Sequence, residues 1–159
     1  MTLHLADTEH ILAAARAHCE KRGARLTTIR EQVLRLILSY PYVVKAYDLL
    51  NGLQKLRGNA APPTVYRALD FLVEMGILHR TESLNGFVFC PDFEHEHQSL
   101  ITNCHRCGKT TEIAANQEIY QLIDFCAKHQ FALSHAPVVL AGLCADCQQE
   151  EEEEEGADV

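Results

Sequence analysis

Cys104-His105-Arg106-Cys107 and Cys144-Ala145-Asp146-Cys147 are two C-x-x-C turns separated by 36 residues. Each lets two thiolates of one tight knuckle reach a single ion, and two knuckles close a tetrahedral sulfur shell, the donor set of a structural zinc. A redox C-x-x-C accounts for one pair but not for both. A closed four-thiolate shell leaves no open position for substrate, so it staples a fold and does not catalyse.

A second set is dispersed: His79, Cys90, His97 and Glu112. Singly, each is ordinary, since a lone His or Cys is more often a surface or core residue than a ligand. Their distribution is less ordinary, because two flank a hairpin and two belong to the segment that follows it. One ion held by all four would fix the angle between two parts of the chain. Two imidazoles, a thiolate and a carboxylate suit zinc, whereas iron and manganese favour nitrogen and oxygen donors. His95 and Glu96 stand near enough to take the place of His97. Cys19 and Cys126 fall on apolar helical faces and read as core.

The elements that must position these residues follow from periodicity. Asp7 or Thr8 can cap a first helix, with Ile11, Leu12, Ala15 and Cys19 on one face and Gly23 at its end. Thr28 to Glu31 reads as a capping box opening a second helix that runs through Tyr40. A third spans about residues 46–57, closed by Gly58. Pro62-Pro63-Thr64 opens a fourth, in which Val65, Ala68, Leu69 and Leu72 share one face. Arg67 points the opposite way, flanked by Tyr66, Asp70 and Phe71. Strand-like runs over 77–82 and 87–90 meet at Asn85-Gly86, a hairpin dipeptide. Helices followed by a β-hairpin predict a winged helix-turn-helix whose fourth helix enters a DNA major groove.

Residues 90–97 are polar and read as a hinge. Beyond them, strands near 99–102, 110–113 and 137–141 and a helix over 117–128 predict a small α/β module. With about 50 residues its core is thin, so a metal staple or a partner subunit is expected. The expected fold class is α+β, with residues 1–89 a winged-helix domain, 90–97 a hinge, 98–149 an α/β dimerisation domain stapled by zinc, and 150–159 an acidic disordered tail.

The 159 residues carry a net charge of −8, unevenly divided. Residues 1–88 are +3, whereas 89–159 are −11, with seven acids in the last ten positions. The front half suits DNA, with weak and salt-dependent nonspecific affinity. No apolar run approaches the roughly 18 residues of a membrane span, and no cationic secretory start precedes the first helix. A cytoplasmic protein is expected, with no membrane partner and no small-molecule substrate. Catalysis has no visible machinery: Asn103 precedes Cys104 where a zinc deaminase carries proline, and His95-Glu96 is not followed by the spacing of H-E-x-x-H.

The run Thr64-Val65-Tyr66-Arg67-Ala68-Leu69-Asp70-Phe71-Leu72, the segment Ala46-Tyr47-Asp48-Leu49-Leu50, Gly142-Leu143-Cys144 and the paired knuckles resemble the ferric uptake regulator family, and most closely its zinc-sensing branch. The resemblance runs from about Arg16 to Cys147. It implies a homodimeric metalloregulator that binds a palindromic operator in double-stranded DNA and represses zinc-uptake genes when zinc fills a hinge site. Its structural ligands fall on Cys104, Cys107, Cys144 and Cys147, and its regulatory ligands on His79, Cys90, His97 and Glu112. Two Zn2+ ions per subunit are thereby implied. Tyr47 and Arg67 match base-contacting positions, with Thr64 and Tyr66 beside them on the DNA-binding surface. Within the family, a sensor of iron, manganese or peroxide is the rival, and Cys90 favours zinc. A zinc-stapled interaction adaptor is the rival from another class. Asn51 and Gln54 are uncharged where some relatives place opposite charges that link adjacent dimers on DNA.

Overall fold

Apolar side chains at three- and four-residue spacing wind the first part of the chain into four helices. In the computed structural model, which describes residues 5–113, 116–134 and 136–157, these are α1 (Leu5–Lys21), α2 (Thr28–Leu38), α3 (Ala46–Arg57) and α4 (Pro62–Glu74). A hairpin follows, β1 (Leu78–Thr81) paired antiparallel with β2 (Gly86–Phe89). The chain divides into two units, residues 1–96 and 97–159. The core of the first is built from Leu12, Leu34, Leu49, Leu53, Leu69, Leu72 and Ile77, all fully buried. On α4 the buried face is Val65, Ala68, Leu69 and Leu72, which agrees with the periodicity.

Helix starts depart from the sequence expectation in two places. α1 begins at Leu5, so Asp7 lies within its first turn, where an acid still favours the positive end of the helix dipole. α2 is capped by the extended backbone of Thr27, without a side-chain cap, and the Thr28–Glu31 capping box does not form. Glu31 instead lies 3.0 Å from Arg16 and 3.6 Å from Arg35. Two guanidinium groups offer its carboxylate stronger, charge-assisted partners than a backbone N–H does.

The turn leading into α4 is held from within. Gly58 closes α3 in the left-handed region, and the Gln54 amide donates to the Ala60 carbonyl at 3.1 Å. In the hairpin, Asn85 takes the positive φ that its dipeptide suggested, but Gly86 does not. Gly86 is needed for space: a Cβ there would lie 2.2 Å from Val43 Cγ1 and 2.8 Å from the Val44 carbonyl. Val44 exchanges two backbone hydrogen bonds with Phe87, adding a third short edge to the wing.

The second unit is a three-stranded sheet in the order β4–β3–β5, with β3 (Leu100–Cys104) central, antiparallel to β4 (Thr110–Ile113) and parallel to β5 (Val138–Gly142). The parallel pairing requires a crossover, and α5 (Asn116–Lys128) lies within that connection. Ile101 and Ile119 are buried, while Ile113, Tyr120, Phe125, Phe131 and Leu140 are 45–60% exposed. The last element corrects the expected disordered tail: α6 spans Ala145–Ala157, while positions 158–159 lie outside the described residues. Arg106 lies within 4 Å of Glu150, Glu151 and Glu154 on successive turns, and this offsets the repulsion within the acidic run. Among the described residues no helix is long and apolar enough to cross a membrane.

Replacing Gly86 by Ala is expected to lower the stability of residues 1–96 by about 1–3 kcal/mol, the cost of forcing an extra methyl into a packed interior. Chemical denaturation read by circular dichroism measures this; an unfolding midpoint equal to the parent's would contradict the close approach of Val43 and Val44.

Candidate metal centres and nucleic-acid interface

The two C-x-x-C knuckles meet in the second unit. Cys104 ends β3, whose chain turns through Gly108 at positive φ, with the Gly108 N–H donating to the Cys104 carbonyl at 2.8 Å. The second knuckle opens α6, where the Gln148 N–H donates to the Cys144 carbonyl at 2.9 Å. The His105 N–H donates to the Gly142 carbonyl at 3.0 Å and ties one knuckle to the strand that leads into the other. The four sulfurs of Cys104, Cys107, Cys144 and Cys147 lie within 4.8 Å of one another, and none is in a disulfide. Cys107 and Cys144 sulfurs are 3.7 Å apart. A tetrahedron with zinc–sulfur bonds of about 2.3 Å has edges of about 3.8 Å, so this separation fits zinc.

Without a metal the thiols of the cluster are shifted in opposite directions, Cys104 down and Cys107 and Cys147 up. The Cys104 thiol is held down to about 6, chiefly by the Cys107 backbone N–H and next by that of Cys144. It is therefore largely thiolate at neutral pH, the form that ligates metal. Cys147 is pushed up, first by burial and then by hydrogen bonds with the neighbouring thiols. A metal ion reverses that logic by deprotonating the thiols it binds.

The second ligand set is described within each unit. In the first, the Cys90 N–H donates to the Ile77 carbonyl at 2.9 Å, extending the hairpin beyond β1 and β2. His79 lies two residues past Ile77 and so on the same face of the ribbon as Cys90. A ring nitrogen of His79 and the Cys90 sulfur are within 4.8 Å, with Cys90 fully buried. In the second unit, Glu112 on β4 pairs with Ile101 in register, and its Oε1 accepts from His97 Nε2 at 2.7 Å. Each unit thus presents one mixed pair of donors, His with Cys and His with Glu. His95 hydrogen-bonds Asp92 at 2.5 Å and is exposed.

The predicted DNA-facing residues share the first unit's surface. Thr64, Tyr66 and Arg67 are exposed on α4, and Tyr47 is 71% exposed at the start of α3. Among the described residues none pairs with the Arg67 guanidinium, and Arg30 stacks on Phe71 at the edge of α4, 3.5 Å from the ring centre. Tyr47 and Tyr66 line a groove of about 560 Å³ together with Lys45, Asp70 and Arg80. Sequence reasoning did not single out Lys45 or Arg80. The signal for Arg80 was its place in a strand, exposed between buried Leu78 and Thr81, and that exposure follows only once the register is known.

Comparison with known proteins gives one consistent picture. Residues 21–141 match the ferric uptake regulator family. The chain is 42% identical over 145 residues to the zinc uptake regulation protein of Escherichia coli (strain K12), covering 91% of this chain and 85% of that one. A solved structure of a zinc uptake regulator complexed with zinc and DNA matches with a TM-score of 0.81 at 42% identity, covering 91% of this chain and 97% of that one. Holo XcZur matches with a TM-score of 0.76 at 38% identity, covering 88% and 98%.

Substituting Cys144→Ser should lower tightly bound zinc by one ion per chain and unfold residues 97–159 while leaving 1–96 helical. Metal analysis together with hydrogen exchange reads both; full protection of β3 and β5 without zinc would contradict a stapling role.

Proposed function

The chain belongs to the ferric uptake regulator family, and we propose that it is a zinc-responsive transcriptional repressor that binds an operator upstream of zinc-uptake genes. The observation that carries this reading is the 42% identity, along 91% of the chain, with a zinc uptake regulation protein. The donor chemistry supports it: a thiolate at the end of the wing selects zinc over the harder iron and manganese ions. The family is one of regulators, and the protein is not an enzyme.

In this proposal two Zn2+ ions bind per subunit. Cys104, Cys107, Cys144 and Cys147 hold the structural one. His79 and Cys90 from the wing, with His97 and Glu112 from the second unit, hold the regulatory one. Zinc in that second set supplies a crosslink between residues 1–89 and the α/β domain on either side of the 90–97 hinge. The protein acts in the cytoplasm as a homodimer. The exposed Ile113, Tyr120, Phe125, Phe131 and Leu140 support a second copy as the cover for that domain, since apolar area of this kind is costly to leave in water. With the hinge fixed, two copies of α4 face successive major grooves, about 34 Å apart. Tyr47, Thr64, Tyr66 and Arg67 touch the DNA, with Arg67 reading base edges and its neighbours fixing the register.

The test is operator binding across buffered free zinc, with iron and manganese as controls; binding that followed either control metal would overturn the zinc reading. Cys90→Ser is expected to abolish zinc-dependent binding while the dimer remains folded, and unchanged operator affinity would refute the switch assignment. Arg67→Ala removes the guanidinium fork that can hydrogen-bond a base edge at two points, which should cost about 1–3 kcal/mol of discrimination, read as the ratio of operator to random-sequence affinity.

A further inference from the structure

An aspartate is an unexpected residue on the outward face of a helix meant to meet phosphates. Asp70 lies in the C-terminal half of α4, where an acid gains nothing from the helix dipole. It follows Tyr66 by four residues and Arg67 by three, so it shares their face. Its Oδ1 accepts from an Arg80 Nη2 at 2.6 Å, and Arg80 sits on β1 of the wing. The same guanidinium lies 5.4 Å from the centre of the Phe87 ring on β2. Both partners line the groove that holds Tyr47 and Tyr66.

As a stabilising device the pair is weak, because its side chains are 51% and 65% exposed and exposed ion pairs contribute little. As a positioning device it is well made. The pair spans two elements, joining the reader helix to the wing. Asp70 engages one nitrogen of the guanidinium and the Phe87 ring lies 5.4 Å away, and the fork has further N–H donors in a groove lined also by Lys45. Arg presents five donors in a fixed fork, so it can engage a carboxylate and still donate to a second oxyanion.

Resting on the DNA-binding reading above, we propose that Arg80 is a phosphate-binding residue for operator DNA and that Asp70 is its positioning residue, holding the guanidinium between the reader helix and the wing. The acid on the reader face is then retained because it aims a cation. This role is separate from base reading by Arg67 and from metal binding by the neighbouring His79.

The sign of one substitution separates this from simple electrostatics. Asp70→Asn removes a negative charge from a surface that faces DNA, so charge alone predicts tighter binding to every sequence. Positioning predicts the opposite, a loss of about two- to fivefold per protomer, the range of an exposed pair, on operator and random duplex alike, because a phosphate contact carries no sequence information. Arg80→Ala should lower the slope of log affinity against log salt by about 0.9 per protomer. In the double variant the loss caused by Asp70→Asn should vanish, leaving only the gain that charge alone predicts.

Binding of the zinc-loaded full-length protein to operator and random duplexes at several salt concentrations, with zinc content measured for each variant, reads all of these. Tighter operator binding by Asp70→Asn, or an unchanged salt slope for Arg80→Ala at full zinc content, would overturn the proposal. If the parent protein failed to bind either duplex at any free zinc, the DNA-binding reading itself would fall.

Discussion

Four cysteine sulfurs within 4.8 Å of one another form the cluster that gathers the ends of the second unit's elements. They join the end of β3, the turn after it, the exit of β5 and the first turn of α6. The unit buries few large side chains, chiefly Leu100, Ile101 and Ile119. A three-stranded sheet of this size cannot offset its conformational entropy by apolar burial alone. In the proposed reading, metal coordination closes that gap, because its binding free energy is folding free energy. Backbone hydrogen bonds to the Cys104, Gly142 and Cys144 carbonyls shape both knuckles.

In the proposed reading, the set of His79, Cys90, His97 and Glu112 works on a different principle. Residues 1–96 have an ample apolar core, so in that reading the donor pair on the wing serves as a sensor and not as a staple. His79 and Cys90 lie on one face of the ribbon, and His97 and Glu112 lie together across β4 and the segment before β3. Two donors make a poor site and four a good one, so affinity depends on bringing the pairs together. A metal that binds only the joined arrangement shifts the population towards it. The wing and α4 are packed in the same unit, so the orientation of the wing's donors is also the orientation of the reader helix.

How much was legible in the sequence depended on the range of the interaction. The apolar face of α4, the ends of α3 and each C-x-x-C knuckle were legible because each is written within a dozen residues. The capping box at Thr28 failed because Glu31 is claimed by Arg16, a partner 15 residues away that no local pattern reveals. The acidic run reads as disordered in isolation; in α6 it meets Arg106, 48 residues upstream of Glu154, a partner no local pattern reveals. Gly86 was read as a turn residue, and its actual role is to admit Val43 and Val44, an approach fixed only by tertiary packing. Arg80 was invisible for the same reason, since its partner Asp70 lies on another element. The proposed regulatory ligands rest on donor chemistry and family resemblance, because four residues scattered over 34 positions carry no local signature.

In the proposed mechanism, zinc at His79, Cys90, His97 and Glu112 and DNA at α4 bias one equilibrium, and such coupling must be reciprocal. The decisive quantity is the affinity of the second zinc, obtained by chelator competition with and without saturating operator DNA. Reciprocity predicts that operator tightens this zinc by the same factor by which saturating zinc tightens the operator, with random DNA having a much smaller effect. A second-zinc affinity that did not change when operator was bound would contradict it.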